Sequence, residues 1–184
     1  MIEIHPIEQI TVEEAIAVTG SYTCTNIYRV QYSDSDEHTR LELTLETLPQ
    51  PVTRQYEHFD AETLERYNTV TQEGFSWGAY AGQELVGLLI AGQQAWNASL
   101  WVWEFHVAAA YRGQGIGRRL MEQAAQAARA ADLRTIVCET QNRNATAIQV
   151  YRRLGFGVEG IDISYYTNND YPDHDVAVFM KRRL

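Results

Sequence analysis

Three glycines alternate at Gly113, Gly115 and Gly117 in the stretch Val107-Ala108-Ala109-Ala110-Tyr111-Arg112-Gly113-Gln114-Gly115-Ile116-Gly117-Arg118. Glycine lets the backbone bend without a Cβ and lets a ligand approach closely. The segment before the turn, Leu100 to Val107, has the composition of a strand. The segment after it, Ile116 to Ala131, is rich in helix formers and sets Ile116, Leu120 and Ala124 at helical spacing. A strand, a glycine turn and a helix start together aim free N–H groups and the positive end of a helix dipole at one point. Arg112 and Arg118 add positive charge on either side. The chemistry implied is a cradle for a pyrophosphate. A P-loop would need Lys-Ser or Lys-Thr after its last glycine, where Arg118-Arg119 stands. The dinucleotide fingerprint would need Gly-x-Gly-x-x-Gly, and these glycines alternate instead. A tight strand-to-helix turn with no ligand is the alternative that the glycines alone leave open.

The elements that must hold this turn follow from local patterns. In Leu100 to Val107, strict alternation sets Trp101, Trp103, Phe105 and Val107 on one face and Val102, Glu104 and His106 on the other. Thr11-Val12-Glu13-Glu14 has the form of a capping box, which starts a short helix near Val12. Tyr22 to Tyr32 suits a strand, and Ser33 to Glu37 reads as a turn before a second strand, Arg40 to Thr47, which Pro49 and Pro51 end. Asp60 can cap a helix running to about Val70. Phe75 to Tyr80 and Glu84 to Gly92 form a hairpin around Gly82-Gln83. Further on come a strand at Thr135 to Glu139, a helix at Ala145 to Leu154, and strands at Val158 to Tyr166 and Val176 to Lys181. That order predicts a mixed α/β sheet. Without repeats, low-complexity tracts or a Gly-, Ser- or Pro-rich linker, residues 1–184 read as a single domain.

Bulk composition narrows the function. A formal net charge of −9 argues against nucleic acid as partner, since that requires a basic face, and an acidic surface instead draws in cations. The longest apolar run, Leu85 to Ala91, is broken by Gly87 and is far too short to cross a membrane. The first residues lack the basic start and apolar stretch of a signal peptide. Two cysteines, Cys24 and Cys138, have no metal-type spacing, and a reduced, cytoplasmic setting is expected. The five histidines are scattered, so no metal is expected. Tyr28, Asp34, Asp36 and Glu37, with Tyr165, Tyr166, Asn168, Asp170, Asp173 and Asp175 in the tail, suit a cationic amine through charge pairs and cation–π contacts. For each of them, a solvated loop side chain is the plainer alternative.

Arg112-Gly113-Gln114-Gly115-Ile116-Gly117 resembles the Arg/Gln-x-x-Gly-x-Gly/Ala motif of the GNAT superfamily of N-acetyltransferases. Asn144-x-x-Ala147-x-x-x-Tyr151-x-x-x-Gly155-Phe156 resembles that superfamily's second signature and follows at the matching distance. The resemblance runs from about Phe75 to the C-terminus. Within the superfamily, Cys138-Glu139-Thr140-Gln141-Asn142 and the tail from Gly160 through Tyr165-Tyr166, Asn168 and Asn169 to Ala177-Val178-Phe179 are similar to the streptothricin acetyltransferases. The same tail is similar to ribosomal-protein N-terminal acetyltransferases.

The resemblance implies a mixed, mostly antiparallel sheet splayed between two central parallel strands and flanked by helices. It implies acetyl-CoA as co-substrate, a primary amine of a small cationic molecule as acceptor, and a homodimer at the level of the family. Pantetheine would lie along Phe105, His106 and Val107 by backbone hydrogen bonds. Gly113, Gln114, Gly115, Ile116 and Gly117, with Arg112 and Arg118, would hold the pyrophosphate. Asn144 would contact the cofactor, and its position also suits a helix N-cap. Tyr151 is the implied general acid for the leaving thiolate, against a packing role beneath its helix. Glu104 is the implied base, or a seat for the acceptor's cation. A non-catalytic acyl-CoA sensor is the alternative from outside the enzymes.

Overall fold

The strand Glu84–Gln94 is buried on both faces over Leu85 to Gly92, and helices cover it from either side. The computed structural model of this chain describes residues 1–56 and 60–184. In chain order its elements are β1 (Ile2–Pro6), α1 (Val12–Thr19), β2 (Ser21–Asp34), β3 (Thr39–Gln55), α2 (Ala61–Thr71), β4 (Trp77–Ala81) and β5 (Glu84–Gln94). These are followed by β6 (Ser99–Val107), α3 (Ile116–Ala130), β7 (Thr135–Gln141), α4 (Ala145–Arg153), β8 (Gly157–Asp162) and β9 (Ala177–Arg183). None of the described helices is long and apolar enough to cross a membrane. The chain divides into two compact units. One comprises Met1–Ser21, Gln55–Val137 and Arg183–Leu184, and the other Tyr22–Arg54 and Cys138–Arg182. Strand β7 starts in the first and continues into the second.

In the first unit the strands lie in the order β1-β4-β5-β6, with the start of β7 beside β6. The pairs β1–β4, β4–β5 and β5–β6 are antiparallel. Arg134 donates its amide to Ala98 O at 2.8 Å, so β6 and β7 begin at the same end, as a parallel pair does. Strand β1 adds an edge that the sequence pattern does not announce. Its Ile-Glu-Ile-His alternation is too short to stand out, and it is fixed by pairing along β4 and by Arg119, whose guanidinium donates to Ile2 O at 3.0 and 3.1 Å. Helix α1 starts as the capping box predicts, with Thr11 Oγ1 accepting from the Glu14 amide at 3.2 Å and Glu14 Oε2 accepting from the Thr11 amide at 2.9 Å. Asp60 caps α2 through the Thr63 amide at 2.7 Å.

The expected alternation in β6 is corrected by a bulge. Glu104 pairs with Ile90 and Val102 with Ala91, which leaves Trp103 as the extra residue. Because Ile90 and Ala91 are consecutive, Val102 and Glu104 stand on opposite faces; one inserted residue reverses the phase of a strand. Glu104 and His106 therefore share the face of Trp101, Leu88 and Ile90, where Ile10, Val18 and Tyr67 from the α1 and α2 side complete an apolar cluster. Phe105 lies on the other face, under α3. That helix buries Ile116, Leu120, Met121, Ala124, Ala125 and Ala128. A side chain at Gly87 would meet Ile116 Cγ2 at 3.1 Å and Leu120 Cδ1 at 3.2 Å, which is why a glycine stands in mid-strand there.

In the second unit the rest of β7 is followed by β9 and β8, and β2 and β3 form a separate two-stranded ribbon. Pro49 and Pro51 do not end β3, which runs on to Gln55. In a two-stranded ribbon every second N–H points away from the partner, and two prolines two residues apart fit that outward parity without breaking the ladder. Asn142, just past the end of β7, ties β2 to the residue before β9: its amide nitrogen Nδ2 donates to Tyr28 O at 2.7 Å, and its Oδ1 accepts from the Val176 amide at 2.8 Å. Strand β8 ends at Asp162, short of the expected Tyr166. The Asp162 carboxylate accepts from the Ser164 amide at 3.0 Å and turns the chain out of the sheet. Asp170, 2% exposed, then fastens the loop by accepting from the Tyr166 and Thr167 amides at 2.7 and 2.9 Å.

Candidate functional site

The glycine turn in the first unit has the shape its sequence implies. Gly113 and Gly115 hold φ values of 76° and 79°, and a Cβ on either would meet nothing within 4 Å, so the space beside both is open. Gly115 caps α3 with no side-chain hydrogen bond, and its carbonyl accepts the first bond of the helix from the Arg119 amide at 3.1 Å. The amides of Ile116, Gly117 and Arg118 thus belong to the turn of the helix that has donors to give. Gly117 serves a different need, since a Cβ there would lie 3.0 Å from Phe105 Cζ. Replacing Gly115 by alanine is expected to cost about 1–2 kcal/mol, because only the left-handed backbone and no clash opposes it; urea denaturation measures the loss. The Ile116 side chain is core, and only its amide faces the turn. Arg112 folds back and donates from Nε to Val107 O at 2.9 Å, locking the turn to the end of β6. Gln114 and Arg118 are exposed.

On the opposite face of β6, Glu104 is the centre of a small polar group. The Tyr67 hydroxyl on α2 donates to Glu104 Oε1 at 2.7 Å, and His106 Nε2 lies 2.6 Å from Glu104 Oε2. The His106 ring meets Tyr56 edge-on, with centroids 4.6 Å apart. Burial, followed by the charge of Glu104 and the hydrogen bond to it, pushes the Tyr67 phenol far above its ordinary range, so it stays a donor. The Glu104 side chain keeps 20% of its surface exposed against 7% for His106, so the carboxylate is the member that solvent reaches.

The second unit carries Asn144 and Tyr151 on α4. Asn144 is the N-cap, its Oδ1 accepting from the Ala147 amide at 3.1 Å. Tyr151 is buried against Phe156, with ring centroids 5.5 Å apart. Burial pushes the Cys138 thiol well above its ordinary range, and a hydrogen bond with Tyr151 opposes that shift. Cys138 is therefore an unreactive core thiol with Tyr151 beside it. The carboxylates expected to receive an amine are mostly tied elsewhere: Asp34 accepts from Thr39, Asp170 holds its loop, and Asp175 pairs with Arg54 at 2.6 Å. Asp36 and Glu37 are exposed beside the ribbon's turn, and Asn168 and Asp173 are exposed in the tail. Arg152 lies 6.0 Å over the Tyr28 ring.

Residues 26–156 match the family model described as "Acetyltransferase (GNAT) family". The chain belongs to the GNAT acetyltransferase family. Within it, the chain is 41% identical over 86 residues to a streptothricin acetyltransferase of Streptomyces lavendulae, covering 47% of this chain and 46% of the relative. It is 31% identical over 108 residues to a streptothricin acetyltransferase of Escherichia coli, covering 59% and 62%. The matched stretches thus span less than two thirds of either curated relative. Among solved structures, a nourseothricin acetyltransferase superposes with a TM-score of 0.76 at 26% identity, over 99% of this chain and 98% of that one. A Bacillus anthracis acetyltransferase solved with acetyl coenzyme A gives 0.75 at 23% identity over the full length of both, which shows the shared fold.

Two features of this GNAT-family chain have no local sequence signature. Tyr67 and the His106 side chain had no motif to mark them, and the pairing of Glu104 with His106 at i and i+2 was visible only as a shared face. In the tail, the Tyr166 hydroxyl donates to Glu139, and Tyr165 packs edge-on to Tyr166 and Phe179 at 5.2 and 5.3 Å. Burial pushes the Glu139 carboxyl above its ordinary value, with the Tyr166 bond opposing and Asp175 adding. A carboxyl raised in the folded state supports stability below its unfolded value, about 4.3, and that support is lost as pH rises through the folded value. Glu139→Gln is therefore expected to gain stability relative to the parent between pH 4.5 and 7.5. Urea midpoints at the two pH values check it, and parallel midpoints would contradict it.

Proposed function

We propose that this chain transfers the acetyl group of acetyl-CoA to a primary amine of a streptothricin-type antibiotic, the β-lysine amine, and so confers resistance in the cytoplasm. The likeness to a nourseothricin acetyltransferase over 99% of the chain carries the reading, and both curated relatives point the same way. The open space beside Gly113 and Gly115 and the uncapped start of α3 fit a pyrophosphate. Backbone groups of Phe105, His106 and Val107 would receive the pantetheine. With Asn144 Oδ1 used by the cap, its amide nitrogen is the end that would reach the co-substrate.

In the proposed reaction an ammonium acceptor gives one proton to Glu104, and its freed lone pair forms the N–C bond. The C–S bond breaks, Tyr151 protonates the departing thiolate, and the acylated nitrogen sheds its second proton to solvent, from which Tyr151 is restored by exchange; Glu104 releases the first proton to solvent, which leaves one net proton beside the amide and the free thiol. Much of the rate can come from placing the amine beside the thioester. Residues 1–184 act as one catalytic domain on this reading. The test is thiol release from acetyl-CoA by the purified chain with streptothricin, beside a peptide bearing a free N-terminus. Turnover with streptothricin alone supports the proposal. Turnover with the peptide alone overturns it in favour of protein N-terminal acetylation.

A further inference from the structure

We infer that Tyr67 and His106 are positioning residues that fix the carboxylate of Glu104 for the acceptor amine, an inference that rests on the proton-accepting role proposed for Glu104. The terminal torsion of a glutamate is broad and, left alone, does not choose one orientation of its two oxygens. Here each oxygen has its own partner from a different direction: Oε1 receives Tyr67 from α2 at 2.7 Å, and Oε2 meets His106 Nε2 from the same strand at 2.6 Å. Both partners are themselves held by packing. Tyr67 belongs to the apolar cluster of Ile10, Leu88 and Ile90, and the His106 ring is closed against Tyr56. The carboxylate is the one member of the three with substantial exposed surface.

Each carboxylate oxygen has two acceptor sites, so one on each is used by the clamp and one on each is left for an amine or a water. The bulge at Trp103 belongs to the same device. Without that extra residue Glu104 would stay in phase with Val102, on the face that α3 covers, and Tyr67 could not reach it. A buried phenol and a buried imidazole would otherwise be an unfavourable choice, since a phenyl and an aliphatic side chain would fill the same volume without polar atoms to satisfy.

Three variants separate this from a role in packing alone: His106→Leu removes the partner of Oε2, His106→Gln restores an N–H donor where Nε2 stands, and Tyr67→Phe removes one hydroxyl at constant shape. Steady-state kinetics with streptothricin and acetyl-CoA are read beside direct acetyl-CoA binding, which reports a folded cofactor site. His106→Leu and Tyr67→Phe should each lower kcat about 10-fold or more. The acetyl-CoA dissociation constant should stay within about 2-fold of the parent, and His106→Gln should recover most of the lost kcat. Parent-like kcat in both His106→Leu and Tyr67→Phe would overturn the inference, as would His106→Gln losing as much as His106→Leu. Glu104→Gln decides between the two levels. If it is impaired while the clamp variants are not, the clamp fails and the role of Glu104 stands; if it turns over normally, the underlying reading fails.

Discussion

Glu104→Gln is expected to lower kcat about 10²–10⁴-fold with streptothricin as acceptor, and to leave acetyl-CoA binding unchanged. The substitution keeps the shape and the polar contacts. An amide can accept from one clamp partner and donate to the other, since a phenol and a neutral imidazole each serve in both senses. What it removes is the ability to take a proton. The deficit should therefore shrink as pH rises, because more of the acceptor then arrives already neutral. Seating the acceptor's cation without proton transfer would give a different result: KM for the amine rises, and kcat stays near the parent value. The pH series and the split between KM and kcat together decide which of the two Glu104 does.

The turn at 113–117 could be read from the sequence because its requirement is local. Positive φ at Gly113 and Gly115 and the close approach of Gly117 to Phe105 are each a reason for glycine at that position, and the helix behind them has a strong apolar stripe. The capping box at Thr11 and the cap at Asp60 were legible for the same reason. What failed depended on partners distant in sequence. Nothing between Leu100 and Val107 announces a bulge, because its cause is the register against β5, so period-two reasoning set Val102 with Glu104 on the wrong face. Pro49 and Pro51 looked like strand ends, although a ribbon with a free edge accepts them. Tyr67 comes to Glu104 from 37 residues away, and no spacing rule reaches that far. The tail carboxylates read as a free acidic surface, yet Asp170 and Asp175 are occupied by a loop's amides and by Arg54.

Tyr151→Phe is expected to lower kcat about 10²-fold or more while acetyl-CoA binding holds. The ring that packs against Phe156 is retained, and the hydrogen bond given up is to the Cys138 thiol, a weak partner. Stability should thus fall by no more than about 1 kcal/mol. The kinetic loss has its own signature, because a general acid matters only while the leaving group needs a proton. A thiol ordinarily ionises near pH 8.5, so above about pH 9 the leaving group can depart as thiolate, and the gap between parent and variant should narrow. A gap that is the same from pH 6.5 to 9.5 would mean that Tyr151 orients the thioester and does not protonate it. Turnover unchanged at every pH would take the acid role from Tyr151. No turnover by the parent chain with any amine, despite tight acetyl-CoA binding, would revive the acyl-CoA sensor. The uncapped start of α3 and the Gly113–Gly115 cradle would then serve binding without transfer.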